Sequence, residues 1–167
     1  MNGITFGGDP ITVVGEEIKV GAKAPEFKAL KNDLSVFDSA DLNGKVRIFS
    51  VVPSVDTGVC AIQTKNFNEM ATELGENVHI VTISNDLPFA QARFGAAEGI
   101  ENAEIVSDHK DLDFGKKYGF LIEELRLLTR GIVIVGKDDE VKYVEYVKEV
   151  TDHPDYDKAL EEAKKLV

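Results

Sequence analysis

The sequence predicts an α/β sandwich on three observations: apolar runs suited to buried strands, a helical periodicity between the first two, and an amphipathic tail. Residues 46–52, 78–83 and 131–135 are short, apolar and rich in β-branched side chains, as strands covered on both faces are. Between the first two, Val59, Ile62, Phe67, Met70, Ala71 and Leu74 recur at steps of three, four or their sums, which predicts a helix from about Thr57 to Gly75. In the tail, Ala159, Leu160, Ala163 and Leu166 form one stripe behind Pro154, which is read as part of the first helical turn. Strand, helix, strand in that order calls for a central parallel pair with an antiparallel edge.

The remaining elements follow in order. Ile4, Phe6, Ile11 and Val13 alternate around Gly7-Gly8-Asp9-Pro10, a loop that predicts a β-hairpin over about residues 3–14. After Gly21-Ala22-Lys23-Ala24-Pro25 the chain reads as irregular until the turn cluster Asp41-Leu42-Asn43-Gly44-Lys45 releases it into the first buried strand. Pro53 ends that strand, because proline has no N–H for a central ladder. Pro88 opens a short helix that Gly95 and Gly99 end or break. A weaker strand at 103–106, a short helix at about 111–118 and a strand at 141–147 complete the chain before its terminal helix.

At 167 residues the chain fits one domain, residues 1–167. Lys and Arg total 19 against 30 Asp and Glu, and the net charge of -11 repels phosphate backbones and anionic headgroups, so neither nucleic acid nor membrane is an expected partner. No apolar run approaches the ~18 residues of a membrane span. The first nine residues lack the cationic start of an export signal, so the expected location is cytoplasmic. One cysteine excludes an intramolecular disulfide and every CxxC motif. His79, His109 and His153 are too scattered for a ligand set, and no metal is expected.

The informative segment is Pro53-Ser54-Val55-Asp56-Thr57-Gly58-Val59-Cys60, which leads from the end of a buried strand into the first turn of a helix. First-turn N–H groups lack intrahelical partners and the helix dipole is positive there, so an anionic sulfur is favoured over a thiol. Reactive cysteines in such settings titrate at roughly 3.5–7.5, against ~8.5 for a free one. A nearby guanidinium adds up to ~4 kcal/mol. Arg130, at the entrance of the strand at 131–135, is the candidate cation. Asp56 would oppose the anion if it faced the sulfur, so it is placed as the helix N-cap, turned away. Thr57 can donate its hydroxyl to the thiolate or to a peroxide oxygen. Taken without its segment, a lone cysteine is more often inert packing.

That octapeptide resembles the active-site motif of bacterial thiol peroxidases, the atypical two-cysteine branch of the peroxiredoxins. Ser84-Asn85-Asp86-Leu87-Pro88-Phe89-Ala90-Gln91-Ala92-Arg93-Phe94, Ala97-Glu98-Gly99, Leu127-Leu128-Thr129-Arg130, Pro154-Asp155-Tyr156 and the N-terminal hairpin extend the similarity along essentially the whole chain. The resemblance implies a thioredoxin-like fold with an added N-terminal hairpin, a homodimer, and reduction of hydroperoxides without metal or organic cofactor. It implies Cys60 as the peroxidatic cysteine, Thr57 as the hydroxyl that contacts thiolate and peroxide, Arg130 as the activating arginine and Pro53 as the shield of the pocket. The chain departs from the pattern after Arg93-Phe94, where the family's resolving cysteine is replaced by Gly95. Two readings stay open: an external thiol, thioredoxin or another, reduces the Cys60 sulfenic acid directly, or this is a substituted variant held in one redox state. The rival function is a redox sensor or interaction protein in which oxidised Cys60 signals to a partner.

Overall fold

The computed structural model describes every residue except Asn2. β1 (Thr5–Phe6) and β2 (Asp9–Pro10) pair antiparallel. Gly7 and Gly8, at φ 61° and 89°, make the tight turn between them, so the predicted four-residue loop shrinks to two and Asp9 and Pro10 join the hairpin. β3 (Val13–Val14) follows. The stretch read as irregular contains two further strands, β4 (Lys28–Leu30) and β5 (Val36–Asp38), and a 3-10 turn at Ser39–Leu42. Each strand has three residues, too few to show an alternation in sequence.

β6 (Val46–Val51) is buried throughout and feeds α1 (Gly58–Leu74), which Gly75 terminates as expected. β7 (Val78–Ser84) leads to α2 (Pro88–Glu98). Gly99, in the left-handed region at φ 65°, ends α2, whereas Gly95 lies inside the helix and neither ends nor breaks it. β8 (Glu104–Ser107), α3 (Asp113–Tyr118) and the short pair β9 (Leu121–Ile122) and β10 (Leu127–Leu128) come next. β11 (Gly131–Val135), β12 (Val141–Tyr146) and α4 (Tyr156–Lys164) close the chain. Pro154 stands ahead of α4 rather than in its first turn, because the Asp155 carboxylate caps the helix by accepting the Lys158 N–H.

The main sheet has seven strands in the order β12-β11-β6-β7-β8-β4-β5. β6, β7 and β8 run parallel, so the expected central pair is a triplet, and antiparallel strands flank it on both sides. Because side chains alternate across a sheet, Val46 and Ile48 pack with Phe67, Ala71 and Ala159 under α1 and α4. Phe49 and Val51 pack on the opposite face with Phe27, Phe114 and Phe120. This is an α/β sandwich with an N-terminal hairpin, as the sequence predicts.

Register sets the stage for the chemistry. Val51 at the end of β6 lies opposite Ile83 of β7 and opposite Gly131 at the start of β11. The segments leaving β6 and β7, and the residue entering β11, therefore meet at one edge of the sheet.

Candidate active site

Pro53 is buried just beyond β6, where its missing N–H costs no ladder bond. Residues 54–57 cross to α1, and Val55 of this loop packs with Phe94 of α2 and Ile105 of β8. The loop is further held by Asp86, whose carboxylate accepts the Ser54 hydroxyl at 2.7 Å and the Val55 N–H at 2.8 Å. Thr57, not Asp56, is the N-cap of α1: its Oγ1 accepts the Cys60 N–H at 3.3 Å and its carbonyl accepts the Ala61 N–H. Both residues are good caps. Ser54 decides between them, because its carbonyl accepts the Thr57 N–H and hydroxyl, each at 3.4 Å, and so starts the first turn one residue later.

Cys60 therefore stands in the first turn of α1, as the sequence places it, and is fully buried. Arg130, one residue before β11, is 2% exposed and delivers its guanidinium to the same spot. Its Nε donates to the Val150 carbonyl at 2.7 Å, its Nη1 to Gln63 Oε1 at 2.9 Å and its Nη2 to Cys60 Sγ at 3.1 Å. No carboxylate pairs with Arg130 among the described residues, so the sulfur is the group at hand to balance a buried cation. An unpaired buried charge costs several kcal/mol, and an anionic sulfur removes that cost. The hydroxyl of Thr57 is turned to Ser54 and the Cys60 amide, with no bond to Sγ.

Gln63 is a member of this site that the sequence reading missed. It sits three residues after Cys60 on the same helical face, is fully buried, and donates its Nε2 to Ser50 Oγ at 2.9 Å. With its amide oriented by Ser50, Oε1 is presented to Arg130, and the planar fork is held with one Nη on the amide and the other on sulfur. A glutamine three residues from the cysteine, on the stripe carrying Phe67 and Met70, was the available signal. Tyr156 lies nearby: its ring meets Phe67 edge-on at 6.0 Å, its hydroxyl pairs with His153 Nδ1 at 2.8 Å, and burial pushes its pKa up.

A sheet edge that carries a buried cysteine on a helix N-terminus against a buried arginine defines a thiol-based redox protein of the thioredoxin-like class. Comparison with known proteins sharpens this. Residues 19–160 match the Redoxin family. The chain is 57% identical over 164 residues to a thiol peroxidase of Halalkalibacterium halodurans, covering 98% of each chain. It is 53% identical over 167 residues to a thiol peroxidase of Bacillus subtilis, covering 100% of this chain and 99% of that one. Among solved structures, a peroxiredoxin-like protein from Aquifex aeolicus superposes with a TM-score of 0.93 at 37% identity, covering 100% of this chain and 98% of the other. A thiol peroxidase from Chromobacterium violaceum shares the fold, with a TM-score of 0.85 at 20% identity and 98% coverage of both. The chain belongs to the thiol peroxidase family of the peroxiredoxins, with a single cysteine contacted by Arg130.

Proposed function

We propose that the chain reduces hydrogen peroxide and organic hydroperoxides at Cys60 through a sulfenic acid, with Arg130, Thr57 and Pro53 as its partners in the site. The observation that carries this reading is the buried Arg130 guanidinium 3.1 Å from the sulfur without a carboxylate of its own. The sulfur attacks as a thiolate: its electron pair forms the S–O bond to the distal peroxide oxygen, the O–O bond breaks, and the departing alkoxide or hydroxide takes up a proton. Arg130 stabilises negative charge as it moves from sulfur toward the leaving oxygen. Thr57, whose hydroxyl is only weakly held at 3.4 Å, turns to the incoming peroxide, and Pro53 screens the pocket from water. Because Cys60 is fully buried, peroxide enters by displacement of the exposed residues 56–58.

A thiol from outside the chain, of the thioredoxin kind, then attacks the sulfenic sulfur and releases water, since Cys60 is the only cysteine. A cytoplasmic setting supplies such thiols. A homodimer fits the exposed Leu87 and Phe89 beside Asp86 and the exposed Ile62 two residues past Cys60. The test is the pH profile of Cys60 alkylation together with single-turnover peroxide consumption. We expect a profile that moves upward in Arg130→Ala, and one peroxide consumed per chain. An unmoved profile would refute the role of Arg130. The second reading, a peroxide sensor, is favoured by the missing second cysteine; one oxidation followed by capture of a partner, with no turnover on dithiothreitol, would select it.

A further inference from the structure

We propose that Asp86 is a positioning residue for the Cys60 reaction, acting through Ser54 and Thr57; the inference rests on the peroxide-reducing reading above. Asp86 lies between β7 and α2, and no cation pairs with its carboxylate among the described residues. Oδ1 accepts the Ser54 hydroxyl at 2.7 Å, while Oδ2 accepts the Val55 N–H at 2.8 Å and the Ser84 hydroxyl at 2.6 Å. Ser84 Oγ is braced in turn by Gln91 of α2 at 2.9 Å, and the Asp86 carbonyl accepts the Ser107 hydroxyl. Asp86 is thus tied to β7 by its carboxylate, to α2 through Ser84, and to β8 by its main-chain carbonyl, and it holds the active-site loop from that base.

The contacts run onward to the sulfur. Ser54 Oγ accepts the Asp56 N–H at 3.1 Å, the Ser54 carbonyl accepts the N–H and hydroxyl of Thr57, and Thr57 Oγ1 accepts the Cys60 N–H at 3.3 Å. Thr57, which turns its hydroxyl to peroxide, is therefore placed at the head of α1 by Ser54, and Ser54 is placed by Asp86. The Arg130 contacts do not pass through this relay, since they come from Val150, Gln63 and the sulfur itself. Two consequences separate: loss of Asp86 misplaces Thr57 for peroxide, while the charge balance at sulfur stays.

The experiment compares Asp86→Ala, Ser54→Ala and Thr57→Val with the native chain, measuring single-turnover reaction with hydrogen peroxide and alkylation by iodoacetamide across pH. We expect the peroxide rate to fall by about tenfold to a hundredfold in Asp86→Ala. The alkylation midpoint stays in place, and Asp86→Ala in a Thr57→Val background brings no further loss. Ser54→Ala, which cuts the relay but leaves Val55 and Ser84 on the carboxylate, reproduces the peroxide-specific loss and carries the test if Asp86→Ala does not fold. Equal losses toward both reagents, additivity with Thr57→Val, or an unchanged peroxide rate would overturn the relay alone. A native chain inert to peroxide would overturn the peroxidase reading, and the relay with it.

Discussion

Arg130 and Gln63 show how a buried charge is rationed among its neighbours. The amide of Gln63 gives Arg130 a neutral acceptor, so the sulfur meets the cation without an acid to compete with. Gln63→Glu would introduce that acid. We expect peroxide reaction and alkylation at neutral pH to slow by roughly tenfold or more, as one pKa unit implies, measured by stopped-flow on the reduced protein. A second buried acid acts on stability instead. Asp108 is 1% exposed, and burial raises its pKa to about 6 despite N–H donation from Phe114 and Gly115 at the start of α3. The folded state holds the proton more tightly than the unfolded one. The resulting contribution is therefore fully present below the ordinary value of 3.8 and lost as pH rises through about 6, on the order of 3 kcal/mol at most. Urea midpoints should fall between pH 4.5 and 7.5, and this slope should flatten in Asp108→Asn.

At the scale of elements, α2 carries the departure from the family pattern. Gly95 sits mid-helix, and a Cβ there would meet only Ile105 Cδ1, at an ordinary 3.7 Å. Gly95→Ala should stabilise the chain by about 0.5–1 kcal/mol, read as a higher thermal midpoint, because glycine weakens a helix interior. Gly95→Cys puts its Cβ in the same space. With thioredoxin as reductant we expect it to turn over faster than the native chain and to resist sulfinic acid formation, followed by coupled NADPH oxidation and mass spectrometry; equal turnover would count against slower recycling in the single-cysteine chain. Much at this scale was legible. The strands at 46–52, 78–83 and 131–135 announced themselves because burial on both faces needs continuous apolar runs. β4 and β5 did not, since they are held mainly by Phe27, Ala29 and Phe37 reaching a core assembled from distant segments. The cysteine, its helix and its arginine could be read from residue type and position. Gln63 showed only as a polar residue on an apolar stripe and Asp86 not at all, because their partners lie on other segments of the chain and local patterns do not encode such contacts.

For the whole molecule, one aromatic cluster ties distant segments together on one face of the sheet: Phe27 meets Phe37, Phe49, Phe114 and Tyr118 with ring centroids 4.9–5.8 Å apart. We expect the chain to unfold as one domain, with near- and far-ultraviolet circular dichroism losing signal together, and Phe27→Ala to cost about 3–5 kcal/mol in the same transition. The alignment of three strand ends at Val51 has a further consequence. Arg130 reaches the sulfur because of its place in a backbone ladder, so deleting one residue from β11 would swing the guanidinium to the far side of the sheet. Reactivity here is thus inherited from hydrogen-bond counting: the same zipper that closes the core brings cation and sulfur together, and a chain that mispairs by a single rung would be folded yet chemically silent.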